Sequence, residues 1–324
     1  YEYLEQRFDA KTRTLTSFFF LLSRGLGVGV IIAAPAVVLS IVLGWNELVT
    51  IFVIGLSTTL YTMLGGVQSV TWTDVKQMAI ILAGLSLCVF VIITNLPAGV
   101  SFSDAMNVAG AAGKLQTIDF SFDLNERYTI WSGMIAALFL FLSYFGCDQS
   151  QVQRYLTARS VDEGRISLLM SAFLKIPMQF LFLLVGILVF VFYLFSAPPM
   201  IFNEVDVTRA AQVRPIEHER LQGEFADAHQ LRHLAALRFI DEQNTTERIT
   251  ARAGYIAANE AYQDKRREAT EFVRQTNGDS SFSDVNYVFP VFVIENMPRG
   301  LVGLIVAAIL AAAFSRFLTL SILF

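Results

Sequence analysis

"SYFGCDQSQVQRYL" runs from Ser143 to Leu156, and its reading decides the class of fold. An apolar run, "MIAALFLFLSYFGC" (Met134–Cys147), stops at Asp148 and gives way to glutamines, a serine and Arg154. A water-facing helix would alternate apolar and polar faces instead of changing character along its length. The pattern fits a membrane helix that reaches water at its end. Asp148, Gln149, Gln151 and Arg154 are then a hydrated mouth, which does not violate the demand that backbone and side-chain polar groups be satisfied within lipid. A solvated helix end, followed by "SVDE" (Ser160–Glu163) as a capping box, explains the same residues structurally.

Composition points the same way. Of 324 residues, 54% are hydrophobic and only 16% charged, and the mean hydropathy is +0.53. That is unusual for a soluble domain and ordinary for an integral membrane protein. The net charge of −4 is small, and no basic cluster carries interleaved aromatics, so a nucleic-acid partner is not expected. Cys88 and Cys147 lie in or at the end of apolar runs, suited neither to a disulfide framework nor to a metal cluster. The apolar runs hold no clustered His or Cys and no paired carboxylates at catalytic spacing, so enzymatic activity is not expected. The chain opens without Met and closes inside an apolar run, so both ends read as cut.

A bilayer-crossing helix takes roughly 20 apolar residues. Six stretches qualify: Ser17–Leu43, Glu47–Leu64, Val75–Leu96, Tyr128–Cys147, Ile166–Phe195 and Leu301–Leu323. Arg7, Lys11, Arg13, Lys76, Arg154, Arg159 and Arg165 collect on one side, and Lys114 and Arg127 lie in the first long loop on the other. The first side is therefore cytoplasmic. Residues 1–203 form membrane helices, 204–280 a charged extracytoplasmic helical hairpin, and 281–324 an interfacial segment with the last span.

The hairpin carries "EHERLQGEFADAHQLRHLAALRFIDE" (Glu217–Glu242) and "NEAYQDKRREATEFVRQ" (Asn259–Gln275). Leu221, Phe225, Leu234, Leu237 and Ile240 recur near helical spacing, which predicts two water-exposed helices broken near Asn244. His229 and His233 stand four apart, but no third ligand is placed to help, so they are expected to be solvated.

Within the spans, Lys175 is the sharpest signal. A lysine near the bilayer centre costs about 2.5–3.5 kcal/mol on insertion scales, so it is expected to face a cavity or partner; snorkelling to the interface is the structural alternative. Pro177 frees the carbonyl of Phe173, as Pro35 frees that of Ile31. Tyr144 and Asp148 share a helix face at i,i+4, which suits a gate above an ion exit, or simply an aromatic belt. Asp74 begins the third span, where it either caps the helix or holds a cation. Ala312 and Ser315 lie on a small-residue face of the last span, beside backbone carbonyls.

Together these stretches resemble the sodium:solute symporter family. The similar residues are "YEYLEQRF" (Tyr1–Phe8), "GGVQSVTWTDVKQ" (Gly65–Gln77), "DQSQVQRYLTARS" (Asp148–Ser160), "FLKIP" (Phe173–Pro177), "FYLFSAPPMIFN" (Phe192–Asn203), "NYVFPVF" (Asn286–Phe292) and "PRGLVGLIVAAILAAAFS" (Pro298–Ser315). The resemblance implies an all-α polytopic bundle, part of a LeuT-type fold of two inverted five-helix repeats with its site at mid-membrane. It implies sodium-coupled symport of a small solute across the plasma membrane, or the inner membrane of a bacterium. Sodium is the coupling ion, and no organic cofactor is implied. Under it, Tyr144 is an inner-gate tyrosine and Lys175 a solute-cavity lysine. Ala312 (carbonyl) and Ser315 (hydroxyl) form half a sodium site, and Asp74 lies near the sodium exit. Arg316 departs from the family's second Ser or Thr, and Phe141 from the asparagine of its sugar carriers. The helix expected to complete the sodium site would precede Tyr1. The competing reading is a membrane sensor or receptor using the outer hairpin.

Overall fold

The computed structural model describes residues 2–43, 45–116, 119–123, 129–148, 152, 158, 160–242 and 244–307. Every regular element among them is helical. The chain divides into one unit of Tyr1–Gly84, Asp148–Ala158 and Pro298–Phe324, and another of Leu85–Cys147 and Arg159–Met297.

The first unit begins with α1 (Glu2–Arg7) and α2 (Ala10–Leu43). Asp9 accepts the Thr12 amide at 2.7 Å and satisfies one of the orphan donors at the start of α2. Ile32, Ala36 and Leu39 of α2 lie one turn apart and are buried against Ile54, with Ile51 and Val306 at the margin. Gly84 lies at a close approach, since a methyl group there would sit 3.3 Å from the Ile305 side chain, in the helix at 299–307, which would have to give by a few tenths of an ångström.

Helix α3 (Glu47–Thr94) is continuous for 48 residues, about 72 Å at 1.5 Å per residue. Separate spans over Glu47–Leu64 and Val75–Leu96 were expected; the intervening "GGVQSVTWTD" contains no proline, and its two glycines weaken a helix without ending it. Thr73 and Asp74 therefore lie inside α3 and not at a capped start.

Only two helical stretches among the described residues are long and apolar enough to cross a bilayer, Val75–Thr94 and Val161–Phe195. Leu48–Ser57 and Ile130–Gly146 are apolar but shorter. Of the other expected spans, Ser17–Leu43 lies within α2, and Leu301–Leu323 is described only to residue 307.

In the second unit, capping boxes start α4 (Phe102–Ala111) through Ser101 and Asp104, and α5 (Ile130–Phe141) through Thr129 and Ser132. A π-helical turn, Leu142–Cys147, follows α5 directly. Helix α6 (Val161–Phe195) is capped by Ser160, whose hydroxyl accepts the Glu163 amide at 3.2 Å, as the "SVDE" pattern leads one to expect. Pro177 lies within α6. Cys88 is fully buried, in keeping with its reading as a small apolar residue.

The charged region folds as α7 (Glu204–Val213), α8 (Pro215–Asp241) and α9 (Thr245–Asn277), followed by α10 (Val285–Asn296). The break before α9 falls at Asn244, whose side chain accepts the Thr246 amide at 3.2 Å. Pro215 starts α8 at a position where its missing N–H costs nothing. Gly278 ends α9 in the left-handed region (φ 71°), where glycine has no Cβ penalty.

The buried face of α8 differs from the apolar pattern. It is Leu221, Phe225, His229, Arg232, Ala236 and Phe239, while Leu234 is exposed. The histidines are not solvated. The His229 Nε2 and His233 Nδ1 atoms lie 3.2 and 3.3 Å from the carbonyl oxygens of Tyr193 and Leu194. A carbonyl can only accept, so both ring nitrogens donate. Arg232, 2% exposed, donates to the Tyr193 oxygen at 2.7 Å and lies 3.7 Å from the Tyr262 ring centroid. Ser196 donates to the Phe192 carbonyl at 2.8 Å. Three of the final carbonyls of α6, which the helix itself cannot satisfy, thus have donors. Nearby, buried Asp284 accepts the Phe202 amide at 2.9 Å and an Arg266 guanidinium N–H at 3.0 Å, tying the segment after α6 to α9.

Two outcomes follow for this cap. Arg232→Ala removes a buried donor and leaves a void, so it should cost about 2–4 kcal/mol, read by hydrogen exchange across α8 and α9. Burial, with the adjacent Arg232 guanidinium and His233, holds His229 below the usual imidazole value. Folding therefore favours its neutral form. The stability of the cap is full above about pH 6.5 and falls as the pH drops below it, because the unfolded chain then binds the proton more readily. His229→Gln should flatten that slope; an unchanged slope would assign it to another group.

Candidate gate and solute site

Tyr144 and Lys175 come from neighbouring elements of the second unit. Tyr144 lies in the π-helical turn that closes α5, half-buried. Lys175 lies 14 residues beyond the first residue of α6, about 21 Å along its axis. The residue that joins them is Phe145, which the sequence reading did not single out. The Lys175 Nζ atom is 5.6 Å from the Phe145 ring centroid, within cation–π range. Phe145 meets Tyr144 edge-on at 5.1 Å and Phe141 at 5.8 Å. The constellation is one cation against an aromatic group that includes the expected gate tyrosine.

Its surroundings are apolar but bare. Trp131, Met134, Ile135, Leu138, Phe139 and Leu140 of α5 are exposed, as are Ile166, Leu169, Phe173, Ile176 and Phe180 of α6. Helices apolar on all sides need lipid or other helices around them, not water. The Lys175 side chain is itself exposed, so this protein surface does not enclose the cation.

The expected Tyr144–Asp148 face is not formed by a continuous α-helix. The π turn changes the residue spacing between Leu142 and Cys147, and Asp148 lies beyond it. Asp148 is half-buried, and its carbonyl accepts the Val152 amide at 3.0 Å. Gln149, Gln151, Arg154, Ala312 and Ser315 lie outside the described residues, as does the side chain of Asp74. Among the described residues, no group of three or more His, Cys, Asp or Glu side chains is placed to hold a metal ion. The sequence signal that could have found Phe145 is its place between Tyr144 and Gly146, where a ring next to the gate tyrosine changes direction along with it.

The profile of the sodium:solute symporter family matches residues 1–216, which include α1 to α6 and so the whole of this constellation. The chain belongs to the sodium:solute symporter family. The human sodium/iodide cotransporter is 33% identical over 201 residues, covering 60% of this chain and 30% of that protein. The mouse sodium-coupled monocarboxylate transporter 2 is 32% identical over 168 residues, 52% of this chain and 27% of that protein. The rabbit sodium-dependent multivitamin transporter is 31% identical over 197 residues, again 60% and 30%. The aligned part thus spans about 30% of the length of these relatives. As a family member, the protein is a membrane protein. The matched region ends at the start of α8, so most of the charged hairpin lies beyond it.

The Lys175–Phe145 contact can be weighed with a double-mutant cycle. Lys175→Met, Phe145→Leu and the double variant should give a coupling of about 0.5–1 kcal/mol in thermal unfolding of the reconstituted protein. A coupling near zero would make the two side chains mere neighbours.

Proposed function

We propose that this protein carries out sodium-coupled symport of a small solute across the plasma membrane, as a multi-pass carrier. The observation that carries the reading is Lys175, a cation deep in an apolar helix, set against Phe145 beside the gate tyrosine. Family membership supplies sodium as the coupling ion. In this reading Tyr144 closes the cytoplasmic side of the solute cavity, and Lys175 lines it. Asp148, Gln149, Gln151 and Arg154 form the hydrated mouth below. Ala312, by its carbonyl, and Ser315, by its hydroxyl, hold sodium, and Asp74 stands on its exit route. The architecture is the LeuT-type inverted repeat, the partners are solute, sodium and the lipid bilayer, and no organic cofactor takes part.

The solute proposed is a small anion. An ammonium group in an apolar setting favours an opposite charge, because few polar groups compete for it. Two relatives carry anions in their names, iodide and monocarboxylates. Sodium moving inward makes the uptake of an anion possible against its own gradient. The membrane potential contributes about 2.3 kcal/mol per charge per 100 mV.

The test is uptake of radiolabelled iodide, lactate and biotin by proteoliposomes, with and without an inward sodium gradient. One of these should accumulate only with sodium. Lys175→Ala and Tyr144→Ala should each lower that uptake by about tenfold or more, the scale of one lost charge-assisted contact. Uptake indifferent to sodium in correctly inserted protein overturns the reading.

A further inference from the structure

Away from Tyr144 and Lys175, a cavity of about 500 Å³ lies between α4 and the tip of the α8–α9 hairpin. Its walls include Asn107 and Leu115 after the start of α4, Phe239 near the end of α8, and Arg248, Ile249 and Arg252 in the first two turns of α9. The volume is in the range of small-molecule sites. Arg248 and Arg252 are four residues apart and so share a helix face. Two like charges at that spacing weaken a helix, and the hairpin holds them there nonetheless.

Neither guanidinium has a carboxylate within ion-pair distance among the described residues. Arg248 lies 5.5 Å from the Phe239 ring centroid, and its charge reaches the Asp104 carboxylate. That carboxylate is already held by the Ser101 amide at 3.0 Å and the Ser101 hydroxyl at 2.6 Å. Its ordinary titration is pulled down first by those hydrogen bonds and only last by Arg248. The cavity therefore offers two guanidinium forks with free donors, an amide at Asn107, and an apolar floor of Phe239, Leu115 and Ile249.

We propose that this cavity binds a small carboxylate with an apolar body, its oxygens held by Arg248 and Arg252 and its body laid against Phe239 and Leu115. Guanidinium groups match carboxylates in bidentate geometry, which is the source of selectivity here. Asn107 supplies a further donor through its amide. The site is separate from the gate constellation and does not depend on the transport reading. It needs neither sodium nor a membrane potential.

Benzoate is a suitable probe, with benzyl alcohol as its uncharged counterpart. Each is titrated calorimetrically into the full chain in phosphatidylcholine nanodiscs, without a sodium gradient. Benzoate should bind at one site per chain, and benzyl alcohol at least tenfold more weakly. The double variant Arg248→Gln/Arg252→Gln should lose at least tenfold in benzoate affinity. Arg248→Lys/Arg252→Lys, which keeps the charge but not the fork, should fall between. Both arginines are exposed, and unchanged amide exchange in α8 and α9 would show the fold intact. No heat from benzoate, equal affinity for the alcohol, or full binding by the glutamine variant would each overturn the proposal. A loss of binding on Tyr144→Ala with both arginines in place would assign the heat to the gate region and would also overturn it.

Discussion

The C-terminal end of α6 is the constraint on which the packing of the charged hairpin depends. A helix leaves its last carbonyls without partners, and in apolar surroundings each unpaired oxygen costs more than a hydrogen bond gives back. Here the oxygens of Tyr193 and Leu194 are met by His229, Arg232 and His233, donors that come from a different helix. For Arg232 the placement is doubly favourable, since positive charge is stabilised at the negative end of the helix dipole. It also explains how Arg232 tolerates burial without a carboxylate. Its charge is shared among a carbonyl oxygen, the helix end and the face of the Tyr262 ring. The hairpin cannot be a loose appendage under these conditions. Val108 of α4 and Leu194 of α6 share one apolar cluster with Ala236, Phe239, Ala251 and Tyr255 of the hairpin.

That arrangement shows what was legible in the sequence and what was not. The all-helical class, two of the six expected apolar spans, the Ser160 cap and the break at Asn244 follow from local rules, and local rules are written in consecutive residues. The buried stripe of α8 was not legible. Two of its six positions are a histidine and an arginine, and an apolar search therefore slid onto Leu234, which is exposed. A buried polar residue announces itself only through its partner, and the partners here are backbone oxygens 36 to 39 residues away. The continuity of α3 was hidden for a different reason. Gly65, Gly66, Thr73 and Asp74 have the composition of a turn followed by a cap, and only tertiary context decides between a turn and a weak helix.

The constellation around Phe145 was half legible. Tyr144 and Lys175 carry chemistry in their side chains, so each stood out alone, and the structure brings both beside Phe145. The π turn that presents Tyr144 was not visible, because a π turn differs from an α turn by one residue of hydrogen-bond register and has no firm composition. Such turns are poorer in energy than the α-helix around them and are found mostly at functional sites. Its presence at the tyrosine, directly before the stretch from Asp148 onward, is an independent physical sign that this end of α5 does something other than pack.

Packing is also uneven along α6. Its C-terminal part is buried at Val185, Leu188, Val189, Val191, Tyr193 and Leu194. The part from Val161 to Leu183, which carries Lys175, has most of its large apolar side chains exposed. Stability follows packing, so the C-terminal part is held with the core, while the N-terminal part has little of its own to hold it. Pro177 lies within the exposed part, where it removes one backbone bond from the ladder. A single helix is thus fixed at one end by donors from the hairpin and supported at the other only by whatever apolar medium surrounds it. The difference along one helix follows from where partners are available and not from a change in its composition.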